Sequence, residues 1–483
     1  MKLDAIGDGT TSKKRRRKRH KGLTLGIAGC VALAIGGGGA WAATSYLGTD
    51  GVDPQSLLPE STAAFATLNL DVSKEQQRQM LELVAKFPSA ATGSDAPQEA
   101  VTQFLDMLEE HNGDIADGKF SDWVGPSASV AMWEHKGEPY GLATVSVLDE
   151  DAADEGLAAL KQDGGADQVG YDIEDGHATI AFGEKGAQAA AKSAAAEAEK
   201  SPLSASSRYS KAKSFLGKDQ VLTAWADLDQ SYDILEKKLP DDADTSGLPV
   251  DLLKALKNHM HGQIALGAKA RDYGIEAVSS TFGAKDVIEG KTGLMDKLSQ
   301  MPKSDIAGAL ALPDDLKGTI LEELAKSGVT GIGAGLDNAV MDKIFDLVSG
   351  AKGALSLSGV TGSSTPSGKA IIETTSADKA QTLKALADLV GQGTLETKVD
   401  GKTLTGNTVG SSDNGKITDN EYYSDAMGGA TKKLDGAAFF DVQKLLQTAP
   451  ANVKQALAAV KAAGVKIGTK NGEYVGNYRL IIA

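Results

Sequence analysis

Ala63-Ala64-Phe65-Ala66-Thr67-Leu68-Asn69-Leu70-Asp71 decides how the rest of this chain is read. It is an apolar run that ends on a carboxylate. The pattern predicts a strand, then an amphipathic helix opened by Asp71 or Ser73 and continuing to about Lys86. The same unit returns three times. Val221 to Ala226 leads into Asp227 and Asp229 and a helix to Lys238. Ile306 to Leu312 leads into Pro313, Asp314 and Asp315 and a helix to Lys326. Ala437 to Phe440 leads into Asp441 and a helix to Thr448. An aspartate at a helix start accepts bonds from the free N–H groups and complements the helix dipole. A structural role therefore accounts for these acids, and a paired-carboxylate active site would need them to converge on a cleft.

Outward from these units, the strands fall into hairpins. In the first half Ala128 to Glu134 pairs with Gly141 to Leu148 across Lys136-Gly137-Glu138-Pro139. Val169 to Ile173 pairs with Ala178 to Phe182 across Glu174-Asp175-Gly176-His177, and Gly262 to Ala268 pairs with Tyr273 to Phe282. Thr144-Val145-Ser146-Val147 shows the period-two alternation of a strand. Helices are expected at Ala152 to Gln162, over the Ala-rich Ala187 to Glu199, and onward to about Lys257. The second half repeats the order: Gly353 to Ser358 with Lys369 to Thr375, a helix over Ala377 to Leu389, Thr394 to Val399 with Thr403 to Thr405, helices to about Ala463, and a closing hairpin of Val465 to Thr469 with Tyr474 to Ile482. We read a tandem duplication, residues 59–283 and 302–483 joined by 284–301. The expected class is α+β: two tandem pseudo-repeats of antiparallel hairpins with helices on one sheet face, preceded by one transmembrane helix.

The expected transmembrane helix comes from the N-terminus. Lys13 to Lys21 are all basic when His20 is counted, and Leu23 to Ala43 carry no charge. About 20 such residues cross a hydrocarbon core as a helix, and flanking Lys and Arg hold that end in the cytoplasm. The chain then divides into a basic tail (1–22), a membrane segment (23–43), a spacer (44–58) and an exported body. Ala40-Trp41-Ala42 has the form of a signal-peptidase site, so secretion after cleavage is the alternative. Ile27-Ala28-Gly29-Cys30 looks like a lipoprotein box, with apolar residues continuing after the cysteine.

Charge follows the same division. Residues 1–22 hold nine Lys or Arg against Asp4 and Asp8, a net +7, so the remainder carries −22 of the overall −15. An acidic body of that size disfavours nucleic acid and anionic headgroups as partners. Cys30 is the one cysteine, which excludes a disulfide or thiolate zinc site in the body. Aromatics make up 5% of the chain, so the core is built mainly from Ala, Val, Leu and Ile.

No constellation forms a catalytic, cofactor or metal site. The second half has no histidine, and His259-Met260-His261 on the approach to a strand could turn both rings to water. Asp227-Leu228-Asp229-Gln230-Ser231-Tyr232-Asp233 resembles the start of a calcium loop but lacks its turn glycine and closing Glu. Asp413-Asn414-Gly415 and Asp419-Asn420-Glu421 read as surface turns. Gly331-Ile332-Gly333-Ala334-Gly335 lacks the Lys-Ser/Thr of a phosphate loop, and Gly36 to Gly39 lie in the apolar segment.

The basic N-terminus, apolar segment and spacer lead into Leu57-Leu58-Pro59-Glu60-Ser61-Thr62-Ala63 and Thr67-Leu68-Asn69-Leu70-Asp71. This layout resembles an actinobacterial family of uncharacterised membrane-anchored exported proteins, a domain of unknown function with a Leu-Pro-x-Ser-Thr opening strand. The resemblance implies a bacterial envelope location and adds no activity, ligand or catalytic residue. The sequence reading is a single-pass, N-in cell-envelope protein with a non-enzymatic, extracytoplasmic binding or scaffolding body. Its partners are the membrane through residues 23–43 and an envelope protein or lipid-like ligand, with no nucleic acid. A carrier of an apolar or lipid-like ligand is the alternative.

Overall fold

Three hairpin turns carry two successive residues with positive φ: Lys136 and Gly137, Asp175 and Gly176, Asn471 and Gly472. That conformation matches the right-handed twist of the strands it joins, so these turns fix register and let long ladders form. In the computed structural model the ladders build one antiparallel sheet of sixteen strands. The structure describes residues 53–87, 123–238, 261–315 and 343–483, apart from 285–286, 288, 344, 362–365, 392, 410–414 and 430–432.

The N-terminal half contributes β1 (Ala64–Asn69), β2 (Val124–His135), β3 (Glu138–Val147), β4 (Val169–Glu174), β5 (His177–Phe182), β6 (Leu222–Asp227), β7 (Gln263–Arg271) and β8 (Gly274–Phe282). The C-terminal half contributes β9 (Ile306–Ala311), β10 (Lys352–Ser358), β11 (Ser367–Glu373), β12 (Leu395–Asp400), β13 (Thr403–Thr408), β14 (Leu434–Asp441), β15 (Val460–Lys470) and β16 (Glu473–Ile482). Across the sheet the order is β4-β5-β3-β2-β1-β6-β7-β8, then β16-β15-β14-β9-β10-β11-β13-β12. The two halves thus have the same strand order, and they join through their last strands, from Val475 opposite Ser280 to Ile481 opposite Gly274.

Helices cover both faces of the N-terminal half. On one face lie α1 (Lys74–Val84), capped by the Ser73 hydroxyl, and α2 (Glu150–Gly164), capped by the Asp149 carboxylate. Met80, Leu83, Ala153, Leu157 and Leu160 pack there on Leu68, Ala128, Val145 and Ile180. The opposite face carries α3 (Ala187–Lys200), whose Ala190, Ala191 and Ala194 meet Trp133, Leu142 and Ala181. It also carries α4 (Ser207–Leu216), whose Tyr209 and Ala212 meet Phe65 and Trp225. Then α5 (Leu228–Lys238) returns to the first face, setting Ile234 against Ala64 and Met132.

The C-terminal half differs. One face is covered by α6 (Leu294–Ser299) and α8 (Tyr423–Ala426), with Leu298, Ile417 and Tyr423 on Ala307, Ala437 and Phe439. Gly464 permits this packing, since a Cβ there would fall 2.1 Å from the Ala426 carbonyl oxygen. At the outer edge α7 (Ala377–Gly391) lies along β12 and β13. Further along, α9 (Val442–Leu445) and α10 (Ala451–Ala456) follow β14. Helices do not run to Ala463 as expected. Strand β15 starts at Val460, because from there alternate residues are buried and the backbone pairs with β14 and β16.

The structure corrects the expected fold class. The halves share one sheet, and in the N-terminal half helices lie on both faces rather than one. Apolar residues of both parities, such as Phe65 and Leu68, require that cover. Among the described residues no helix is long and apolar enough to cross a membrane. Residues 23–43, the basic tail, and 44–52 of the spacer lie outside the described residues, as does the helix expected from 316 to 326. With no spanning helix found, the preceding transmembrane helix, the single-pass N-in topology, the extracytoplasmic cell-envelope location and the membrane as partner are withdrawn.

Candidate functional site

Of the histidines weighed from sequence, His261 donates from Nδ1 to Asp229 Oδ1 at 2.8 Å, and the Gly262 N–H donates to the other carboxylate oxygen. Asp229 therefore ties the start of α5 to the start of β7. His177 Nδ1 lies 2.9 Å from the Asp175 carbonyl in its own turn. His135 stacks on Trp133 with ring centroids 5.0 Å apart, and burial holds its pKa below the usual imidazole value. His259, Asp413, Asn414 and Gly331 to Gly335 lie outside the described residues.

The carboxylates have comparable roles. Asp227 accepts from the Gln230 N–H at 3.2 Å and pairs with Arg208 at 3.2 Å. Asp419 accepts from the Lys416 N–H, and the Asn420 amide donates to Asp441 at 3.0 Å. A shallow depression of about 370 Å³ beside Asp314, Asp315, Asp346 and Lys379 gathers acids. Lys291 stands 3.0 Å from Asp314, and Lys379 stands 3.6 Å from Asp346. Among the described residues no group of three or more His, Cys, Asp or Glu could hold a metal ion.

What stands out is where the C-terminal half puts its charge. Register aligns side chains of one parity into rows across β10, β9, β14, β15, β16 and β8. One row is Leu355, Gly308, Ala438, Val465, Tyr478 and Ala277; the next is Gly353, Leu310, Gly436, Ile467, Gly476 and Ser279. A third is Leu357, Ile306, Phe440, Ala463, Leu480 and Ile275, of which Leu480 and Ile275 pack against the core of the N-terminal half, and β11 extends the rows with Ala370, Ile372 and Gly368. None of these residues is charged. Yet Leu310, Leu355 and Ile467 are 55%, 49% and 39% exposed.

The charged residues of these strands alternate with the rows and point to the covered face. There Glu276 accepts from Arg271 Nε at 3.0 Å, Arg479 Nη2 at 3.0 Å and Asn477 Nδ2 at 3.3 Å. Burial raises the Glu276 carboxyl, but these donors outweigh it and hold its pKa below the usual carboxylate value. The Arg479 guanidinium also lies over the Tyr273 ring and donates to the Asp425 carbonyl. Lys466, 3% exposed, donates to the carbonyls of Gly428 and Gly429. Burial, then the Arg479 charge, lowers its pKa. Lys297 and Lys352 converge on Glu373 in the same way. These ions are consumed in holding helices and strands together, whereas among the described residues the strand positions of the open rows carry no charge to hold water.

No family model matches the chain. No curated protein matches it either. Two solved structures are similar over most of its length, both of the duplicated taurocyamine kinase from Schistosoma mansoni. The form with bound transition state analog components is 9% identical, covers 93% of this chain and 84% of its own, and has a TM-score of 0.13. The substrate-free form is 9% identical, covers 94% and 85%, and also scores 0.13. A likeness of that size carries no argument about fold or activity.

The resemblance to the actinobacterial membrane-anchored family is withdrawn with these findings, and with it the exported envelope function and the lipid-carrier alternative. The opening motif that carried it has a packing role. Trp133 Nε1 donates to the Ser61 hydroxyl at 2.8 Å, and that hydroxyl donates to Glu197. Arg208 reaches the carbonyls of Glu60 and Thr62.

Sequence reading missed the open face. Its signal was available in part: in Leu395-Glu396-Thr397-Lys398-Val399-Asp400 and in Lys369 to Glu373 the charges keep to one parity. Which parity meets solvent depends on which helices pack where, and that is decided in three dimensions.

Proposed function

We propose that the chain works without catalysis, as a protein-binding module whose contact surface is the uncharged face of its C-terminal half. The single observation that supports this reading is the inverted distribution of charge. Strand ions lie on the face covered by α6 and α8, while Leu310, Leu355 and Ile467 stand on the other with most of their neighbours Gly or Ala. Water gains nothing from such a surface, and a contiguous exposed apolar patch marks a place where another protein surface docks. The partner that fits is a broad, uncharged protein surface, because any charge brought against these rows would be desolvated without a counter-ion.

Cysteine labelling tests it. In a Cys30→Ser background, Leu355→Cys should react readily with a membrane-permeant maleimide when the purified chain is dilute, and slowly in the intact host. Glu155→Cys, on exposed α2, should react alike in both. Equal reaction of Leu355→Cys in the two settings refutes the contact surface.

A further inference from the structure

We propose that the seam between β8 and β16 is a dimer interface enclosed within one chain. Its Glu276–Arg479 pair makes each half accept the other half rather than a copy of itself. The open face takes no part in it. Asp227 and Asp441 end the equivalent strands β6 and β14, and they stand opposite Gln263 on β7 and Ala462 on β15. Those residues in turn stand opposite Phe282 on β8 and Ile481 on β16. Four residues back along these strands come Val278 and Asn477, which are therefore counterparts. Across the seam they are paired with each other. An antiparallel ladder in which a residue meets its own counterpart has a twofold axis through that pair. This is the joint of a closed dimer, where one edge serves both subunits. Ile275, Leu480 and Ile482 carry one apolar core across it, so packing as well as the ladder closes the seam.

The symmetry is broken by charge. On one side of the axis Glu276 faces Arg479, 3.0 Å apart and each side chain 15% exposed. On the other side their counterparts, Val475 and Ser280, face each other without charge. If β8 met a second β8 about Val278, Glu276 would face Ser280 and keep Arg271 alone of its three donors. If β16 met a second β16, Arg479 would face Val475, and two largely buried guanidinium groups would lack a carboxylate. A buried ion stripped of its partner is strongly destabilising, so both like pairings are disfavoured and the unlike one is kept.

A protease recognition sequence inserted after Ala284 of the full chain allows the folded protein to be cut between its halves. The cut protein is expected to remain one particle holding both halves down to about 1 µM. Ordinary and isotopically heavy cut samples are then mixed in enough urea to part the halves, returned to buffer and weighed by native mass spectrometry. Light and heavy halves should rejoin only as unlike pairs. Glu276→Val with Arg479→Ser copies the Val475 and Ser280 side of the axis onto the other, and like pairs should then rise roughly tenfold. Should that variant fail to fold, Glu276→Gln replaces it, with pairs of N-terminal halves expected to rise. Halves that separate on cutting, or that do not rejoin when urea is removed, overturn the interface. Like pairs already present in the native mixture, or no rise in the variants, overturn the selecting role of the ion pair.

Discussion

Leu68 and Leu310 sit on corresponding strands of the two halves, β1 and β9, and face the same side of the sheet, yet Leu68 is fully buried and Leu310 is 55% exposed. Around Leu68 the helices α1 and α2 close the face with Met80, Leu83 and Leu157. Around Leu310 the strand neighbours are Gly353 and Gly436. One topology therefore supports a strand buried on both sides in one half and on a single side in the other. Strand order sets which residues are neighbours, but helix cover sets which of them contribute to stability and which remain for binding.

The largest effect should come from the doubly covered half. Trp225→Ala, which empties the space between Phe65 and Tyr209, is expected to cost about 3–5 kcal/mol in denaturant unfolding. A cost below about 1 kcal/mol would mean that α4 does not pack as described. The direct comparison is next. Leu68→Ala should lose about 2–5 kcal/mol, and Leu310→Ala less than about 1 kcal/mol, by the same measurement. Equal losses would erase the difference between the halves.

Where the halves meet, Glu276→Gln removes the negative charge shared by Arg271 and Arg479 and turns one of its two acceptor oxygens into a donor. It should cost about 2–3 kcal/mol, at the lower end for a buried charged network because both partners retain some exposure. The same residue gives the subtlest effect, in pH dependence. Its folded pKa lies below the usual carboxylate value, so its contribution is complete above that value and is lost as pH falls through the folded pKa. Melting temperature should drop over that acidic window in the native chain, and more shallowly in Glu276→Gln. Identical slopes would show that the ion cluster does not couple the halves.

Much of the strand arrangement was legible because period-two alternation and turn residues such as Asp175-Gly176 are local. Cap positions were legible for the same reason: Ser73, Asp227 and Asp441 accept from the N–H groups that begin their helices. The start of β15 was not, since Lys461, Ala462 and Ala463 have strong helix propensity and only pairing with β14 and β16 overrides it. The placement of helices was not legible either. An amphipathic helix such as α1 declares that it has an apolar face, and nothing in its own residues says which side of the sheet receives it. For the candidate site, the parity of charge was visible in individual strands, but aligning those parities into one uncharged face required registers between strands far apart in the chain, such as Gly476 with Ser279.

By itself the sequence determined the alternation of strands, the tight turns, the helix caps and the absence of a thiol from the body, because each depends on residues within a few positions of one another. Only the tertiary structure decided that sixteen strands share a single sheet, that Glu276 and Arg479 bind the halves together, and that the uncharged side of the second half lies open. Those outcomes depend on contacts between segments up to two hundred residues apart, where packing geometry, rather than local preference, selects the arrangement.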